Sequence, residues 1–343
     1  MKKTIVILII LNLSINASAQ KYQTSQDSIK AGYDAIFTKL QEGFIYKDSV
    51  NWNLVKAETA SNLANYSDFK TSLNEIVPLF SKINATHCAV LYKDNTYSVP
   101  VTMAPESLND QWKKKYATHP NLETKIIGDK YGYILLPGLS FPDTRPRNVN
   151  KISQKLYDQI NDLKNNTEIE GWIIDLRFNT GGHSWPMLLA LYDFLGDNNI
   201  SASLDSDKKQ IGMASLSNGN YVVDSNINFK IKPKGKLLDT AKVAIITGVA
   251  TASSGEVVAM AFKHRPHTIF IGEKSAGFTS ANYGAVLPFG MLMILTKTYS
   301  SDRNGNYYDH IMPDIRVSKQ DNFDDLLLDQ NIQESIKFIK SEK

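Results

Sequence analysis

Two loops in this sequence carry side chains and backbone groups that could act on a carbonyl compound. One loop contains Gly181-Gly182 and the other contains Ser253-Ser254, three and two residues before Glu256. A serine hydroxyl at the start of a helix can act as a nucleophile, and backbone N–H groups in a glycine turn can bind the resulting oxyanion. Each motif also has a plainer interpretation, because a double glycine makes tight turns and a serine followed by glutamate caps helices. Neither motif alone predicts an activity.

A serine nucleophile needs a proton acceptor, and the sequence offers several histidines. His87 precedes a short apolar run, whereas His183 directly follows the double glycine. The other histidines lie in polar loops or at the far end of a predicted helix, at positions 119, 264, 267 and 310. Taken alone, His87 is better explained as a buried structural histidine.

The elements around these loops predict a mixed α/β fold. Four apolar runs have the length of buried strands, beginning at Tyr131, Gly171, Lys242 and Thr268. They alternate with amphipathic helical patterns at 148–164, 185–195 and 254–263, which indicates βαβ units and a largely parallel sheet. The chain before this region is predicted to be helical over 21–85, with short strands at 88–92 and 97–103. Further predictions are a polar excursion or hairpin at 200–235, a strand at 290–298 and a terminal helix at 323–341.

The first residues have the pattern of a secretory leader. Lys2 and Lys3 precede an apolar run from Thr4 to Leu13, and Ala17-Ser18-Ala19 is a small-residue cleavage site. The apolar run is shorter than the roughly 20 residues that a membrane-spanning helix needs. We therefore expect cleavage after Ala19, a mature protein without an integral membrane segment, and a periplasmic or secreted location.

Composition excludes several other classes of protein. The net charge of +3 includes the two leader lysines, so there is no electrostatic case for a nucleic-acid partner. Cys88 is the only cysteine, which rules out an internal disulfide. Histidines without ligand spacing argue against a catalytic metal, and no cofactor is predicted.

Four motifs in order resemble those of the C-terminal processing, or tail-specific, serine peptidases. They are DLRFNTGG after a strand, KVAIITGVATASSGE, the loop IGEKSAGF and the late IMPDI, and together they span about residues 125–318. The resemblance implies a crotonase/ClpP-like β–α superhelix core. With the leader at 1–19, the predicted domains are an N-terminal helical domain at 20–122 and a peptidase core at 123–343.

The resemblance also implies roles for particular residues. Ser253 matches the family's nucleophile, with Ser254 as the alternative, and the N–H groups of Gly181, Gly182 and Ser254 would form the oxyanion hole. Phe278 stands where the Ser–Lys members place their lysine, and Lys274 lies four residues earlier. Tricorn-core and nisin-resistance-type peptidases instead use a Ser–His pair, and the position of His87 matches theirs.

Two acidic residues, Asp309 and Asp302, lie in the late loop where an orienting acid would be expected. Asp175-Arg177 is predicted to be a structural ion pair under the glycine loop. The implied substrate is an unstructured peptide or a protein tail. Two other functions stay open: a non-catalytic peptide- or ligand-binding protein on the same fold, and a crotonase-like acyl enzyme, which the leader disfavours.

Overall fold

The structure is a computed structural model and describes residues 24–100, 108–165 and 168–341. The predicted leader and part of the predicted strand at 97–103 lie outside the described residues. The described helices are α1 (Ser25–Gly43), α2 (Trp52–Leu63), α3 (Phe69–Ser72), α4 (Ile76–Lys82), α5 (Asp110–Tyr116), α6 (Pro146–Asn165), α7 (Ser184–Ala190), α8 (Tyr192–Leu195), α9 (Ser254–Ala261) and α10 (Gln330–Lys340).

The strands form two sheets. They are β1 (Ala89–Tyr92), β2 (Asn95–Ser98), β3 (Glu123–Ile127), β4 (Tyr131–Leu135), β5 (Gly171–Asp175), β6 (Asn199–Leu204), β7 (Gln210–Ser217), β8 (Asn220–Val223), β9 (Asn226–Lys230), β10 (Val243–Thr247), β11 (Thr268–Gly272), β12 (Ser280–Val286), β13 (Leu292–Ser300) and β14 (Ile315–Arg316).

One sheet has the order β14-β11-β10-β5-β4-β3 and contains the four predicted apolar strands. Its strands are parallel except β3, which pairs antiparallel with β4. Strands β4, β5 and β10 are buried along their whole length, because helices cover both faces of the sheet. The predicted mixed α/β fold, with its helical N-terminal region, is confirmed.

The other sheet is antiparallel and has the order β2-β1-β13-β6-β7-β8-β9, with β12 on the second side of β13. Helices α1 and α4 pack on it, and their apolar faces share one core with residues of β6 and β13. This sheet therefore takes strands from both sides of residue 122. The division into two domains at that residue stays a prediction.

Two local predictions differ from the structure. The segment 200–235 forms β6 to β9, a four-stranded meander, because its alternating residues bury one face only. The predicted helix at 185–195 is divided into α7 and α8, since Leu191 leaves helical geometry at φ −93° and ψ 14°.

Candidate active site

The two predicted loops lie side by side at the carboxyl edge of the parallel sheet. Strands β5 and β10 are neighbours in parallel register, so the chain leaves both at the same edge. The Ala252 N–H donates to the Asn179 carbonyl at 2.9 Å, which joins the two loops. The side chain of Thr251 fixes the second loop, accepting from the Gly248 N–H and donating to the Leu176 carbonyl, each at 2.9 Å.

Ser253 occupies a strained position directly before α9. Its backbone has φ 53° and ψ −116°, a region that side-chain-bearing residues rarely adopt. Such strain is typical of functional turns, because the surrounding structure must hold the residue there. The half-buried side chain lies against Gly181, where an added Cβ would stand 3.1 Å from the Ser253 Cβ.

His87 reaches this serine from the loop between α4 and β1. Its Nε2 lies 3.2 Å from the Ser253 Oγ, although the two residues are 166 positions apart in sequence. The Asn282 side chain donates to the His87 carbonyl at 3.0 Å and so fixes the backbone of the histidine. The serine hydroxyl and the imidazole are therefore within hydrogen-bond reach of each other.

The second ring nitrogen of His87 contacts a hydroxyl. Its Nδ1 lies 2.8 Å from the Ser280 Oγ, so a serine makes the contact that was expected of an acid. Asp302 instead accepts from Tyr308 at 2.7 Å and lies 3.0 Å from His264, because its own loop surrounds it. Asp309 is exposed and interacts with Tyr307. Among the described residues, neither predicted acid is hydrogen-bonded to the imidazole, and the sequence reasoning missed Ser280.

An aromatic ring lies against the imidazole, which is largely buried. The ring of Phe278 meets it edge-on with 5.1 Å between ring centroids, and Lys274 is exposed. Burial lowers the pKa of His87 from its ordinary value to about 4. The histidine is therefore neutral at pH 7 and able to accept a proton.

The predicted oxyanion donors differ in their surroundings. The Gly181 N–H faces the Asn179 Oδ1 at 3.3 Å, and the Gly181 carbonyl accepts from the Leu139 N–H at 3.0 Å. Because a trans peptide points its N–H away from its carbonyl, the Gly182 N–H is directed away from Leu139. A Cβ on Gly182, at φ +112°, would lie 2.1 Å from the Leu139 carbonyl oxygen, so only glycine fits.

Ser254 connects the helix start to this glycine loop. Its hydroxyl donates to the Gly182 carbonyl at 2.5 Å. As the first residue of α9, its N–H has no acceptor inside the helix. The Ser254 side chain therefore fixes Gly182 next to the start of α9.

The carboxylate of Glu256 ties the nucleophile turn to the 273–278 loop. It accepts from the Ser253 N–H at 2.9 Å, from the Ser275 hydroxyl at 2.5 Å and from the Gly277 N–H at 2.7 Å. The side chain is fully buried, and burial raises the pKa of its carboxyl above the usual value. Sequence reasoning identified Glu256 as part of a helix cap but not as a link to the second loop.

The other histidines make different contacts. His183 stacks on Phe141 with 4.4 Å between ring centroids. The Nδ1 of His310 lies 2.9 Å from the Ser275 carbonyl oxygen. Within the described residues, no group of three or more histidines, cysteines or carboxylates is arranged to hold a metal ion.

Arg177, at the start of the glycine loop, forms ion pairs with three carboxylates. It forms the predicted pair with Asp175 at 2.6 Å and also binds Asp321 at 2.5 Å and Asp329 at 2.7 Å. The guanidinium is buried, so these carboxylates replace its lost hydration.

In the part of the chain that the structure describes, no helix has both the length and the apolarity to span a bilayer.

Comparisons with known proteins bear on this site. A family model described as Peptidase family S41 matches residues 130–317, more than half of the chain; Ser253 lies inside that range and His87 outside it. The nisin-resistance protein of Lactococcus lactis subsp. lactis is 34% identical over 161 residues. That match covers 45% of this chain and 48% of the relative, so the chain spans about half the length of the curated relative.

Two solved structures share the fold. A lipoprotein from Streptococcus agalactiae superposes with a TM-score of 0.66 at 22% identity, covering 92% of this chain and 97% of that one. A candidate peptidase from Parabacteroides merdae gives a TM-score of 0.59 at 15% identity with the same coverage. These two structures bear on the fold, and the family match over residues 130–317 confirms the resemblance inferred from the four motifs.

Proposed function

Because the chain belongs to peptidase family S41, we propose that it is a serine peptidase that uses Ser253 as its nucleophile and His87 as its general base. The observation that carries the proposal is the 3.2 Å distance between the Ser253 Oγ and the His87 Nε2. The strained backbone of Ser253 and the neutral imidazole of His87 support the proposal.

The proposed reaction follows from these contacts. The Ser253 oxygen forms a bond to the substrate carbonyl carbon while its proton passes to the His87 Nε2. The carbonyl oxygen becomes an oxyanion held by the N–H groups of Gly182 and Ser254. The C–N bond then breaks as His87 returns the proton to the leaving amine. A water molecule, deprotonated by the same imidazole, hydrolyses the remaining ester and restores the serine.

We propose an unstructured peptide or protein tail as the substrate, cleaved outside the cytoplasm. An extended chain can bring a peptide bond to the Ser253 hydroxyl more easily than a folded domain can. The exported location rests on the leader pattern at residues 1–19, and the tail-specific preference rests on the motif resemblance. The nisin-resistance relative makes a short peptide a reasonable first substrate to test.

Labelling with a serine-reactive phosphonate probe tests the proposal directly. Intact mass and peptide mapping should place a single label on Ser253 and none in Ser253→Ala. His87→Ala should slow labelling by about 100-fold or more, the usual contribution of a general base. The double variant should be little worse than either single one, because the two groups act as a unit.

Lys274→Ala is the matched control, since it removes an exposed lysine that the Ser–Lys alternative would require. It should label at nearly the wild-type rate. A dead Lys274→Ala with a nearly normal His87→Ala would replace the pair with a Ser–Lys dyad. Folded wild-type protein that takes up no label would instead favour the non-catalytic binding protein.

A further inference from the structure

The imidazole of His87 is held at both ring nitrogens by hydroxyl groups. If Nε2 accepts the proton of Ser253, it must be the unprotonated nitrogen, and Nδ1 must carry the hydrogen. That hydrogen has an acceptor in the structure, because the Ser280 Oγ lies 2.8 Å from Nδ1. Because each hydroxyl can donate or accept, the distances fit either neutral tautomer, and they include the Nδ1–H tautomer that a base for Ser253 needs.

Strand β12 supports the histidine at two points. Ser280 is its first residue, and Asn282, two residues later, donates to the His87 carbonyl. Asn282 is itself fixed, since its Oδ1 accepts from the Thr296 hydroxyl on β13 at 2.8 Å. Ring and backbone of the histidine are thus oriented by the same strand.

We propose that Ser280 is the positioning residue of the catalytic pair: its hydroxyl accepts the Nδ1–H of His87, which fixes the reactive tautomer without placing a negative charge beside the ring. The inference rests on the proposed function, because the value of this tautomer lies in leaving Nε2 free for Ser253. Ser280 acts through His87 and not on the substrate.

The groups facing the imidazole are neutral. Ser253 comes from the turn before α9, Phe278 from the 273–278 loop, and Ser280 from β12. Next to it in the chain, the thiol of Cys88 is buried, which raises its pKa and keeps it protonated.

The nearest carboxylate in the bonded network is Glu256. It reaches the Ser253 N–H, not the ring of His87. Burial alone accounts for the lowered pKa of His87. A carboxylate introduced at position 280 should therefore stabilise the imidazolium and raise that pKa by about one to two units.

Three substitutions separate orientation from folding. Ser280→Ala removes the acceptor, Ser280→Thr keeps a hydroxyl on a strand position that tolerates β-branching, and Ser280→Asp adds charge. Ser203→Ala is the matched control, the same change at a half-buried position of β6 in the same sheet. Two readouts are needed: the ¹⁵N NMR shifts of the His87 ring nitrogens, assigned with His87→Gln, and the rate of phosphonate labelling as a function of pH.

The wild-type ring should carry its proton on Nδ1 at pH 7. Ser280→Ala should mix the two tautomers and slow labelling about five- to tenfold, the loss expected for one hydrogen bond. Ser280→Thr should restore both properties. Ser280→Asp should move the acid limb of the labelling profile upward from about pH 4 by one to two units, and Ser203→Ala should change neither readout.

A wild-type imidazole protonated on Nε2, or a Ser280→Ala variant with unchanged tautomer and labelling, would overturn the inference. The NMR measurement needs no activity, so it decides the role of Ser280 even if the protein takes up no probe. Absence of labelling in the wild type with the Nδ1–H tautomer intact would count against the peptidase proposal alone.

Discussion

At the scale of the residue, burial determines the chemistry of His87. The ring has neutral partners and lies against Phe278, so its charged form is poorly solvated. Its pKa of about 4 means that the folded protein binds this proton more weakly than the unfolded chain, in which histidine titrates near 6.5. The stability that His87 contributes is thus present above pH 6.5 and is lost as the pH falls towards 4.

His87→Gln should remove part of the acid sensitivity of the fold. When the pH falls from 7 to 5, protonation of His87 in the unfolded chain should lower the free energy of unfolding of the wild type by about 2 kcal/mol. Glutamine has a similar size and does not titrate, so this share of the loss should vanish. Urea unfolding at the two pH values, followed by tryptophan fluorescence, measures the difference.

His119→Gln is the control, since it removes an exposed histidine. It should lose stability between the two pH values as the wild type does. Equal acid losses in His87→Gln and the wild type would show that the imidazole is solvated in the folded protein.

The two residues of the proposed catalytic pair could be identified in the sequence, but the groups that contact them could not. Ser253 and Gly182 lie in motifs that a strand-to-helix turn dictates locally, and His87 was assigned because Phe278 cannot accept a proton. Ser280 gave no signal, because its role depends on where β12 places it relative to a residue 193 positions away. Asp302 looked like an orienting acid because of its place in sequence, yet its neighbours in the loop bind both of its oxygens.

At the scale of the element, Glu256 couples the first turn of α9 to the loop that carries Phe278. Its two oxygens accept from Ser253 on one side and from Ser275 and Gly277 on the other. The buried carboxylate thus holds the nucleophile turn and the wall of the histidine pocket in one arrangement.

Glu256→Gln should weaken the contacts of this side chain with both the Ser253 turn and the 273–278 loop. An amide has one oxygen, so its NH₂ group must face a buried N–H that loses its acceptor, at a cost of about 1–3 kcal/mol. If the Ser253 N–H is the donor that loses its acceptor, the turn that carries Ser253 should relax, and probe labelling of Ser253 should slow. Thermal unfolding and probe labelling should both change, whereas Glu170→Gln, which alters an exposed pair with Lys130, should change neither. Wild-type labelling in a destabilised Glu256→Gln would confine this carboxylate to a structural role.

The elements differed in how well the sequence predicted them. The parallel strands could be predicted because burial on both faces requires continuous apolar runs, such as the one starting at Gly171. The β6–β9 meander could not, since half of its residues face solvent and its polar content is typical of a loop. Helix α7 ends before Leu191, a buried residue that is neither glycine nor proline and so gave no breaker signal in the sequence.

At the scale of the whole molecule, the N-terminal helices and the antiparallel sheet share a core that reaches the site. The Ile45 N–H donates to the Thr296 carbonyl at 3.0 Å, just after α1 ends. The Thr296 hydroxyl donates to the Asn282 side chain, and the Asn282 side chain donates to the His87 carbonyl. Packing of α1 on β13 is therefore connected to the position of the base through a short series of hydrogen bonds.

Leu40→Ala tests this connection. Leu40 is fully buried in α1, in the core that also contains Met293 and Leu295 of β13, so its truncation should cost about 2–5 kcal/mol. If helix and sheet open together, hydrogen exchange should quicken in the β13 amides as well as in α1, and labelling of Ser253 should slow because His87 is held less firmly. Leu54→Ala, the same change at a half-exposed position of α2, should leave exchange and labelling close to those of the wild type. Faster exchange in α1 with an unchanged β13 would mean that the helices open independently and that the site is positioned by the strands alone.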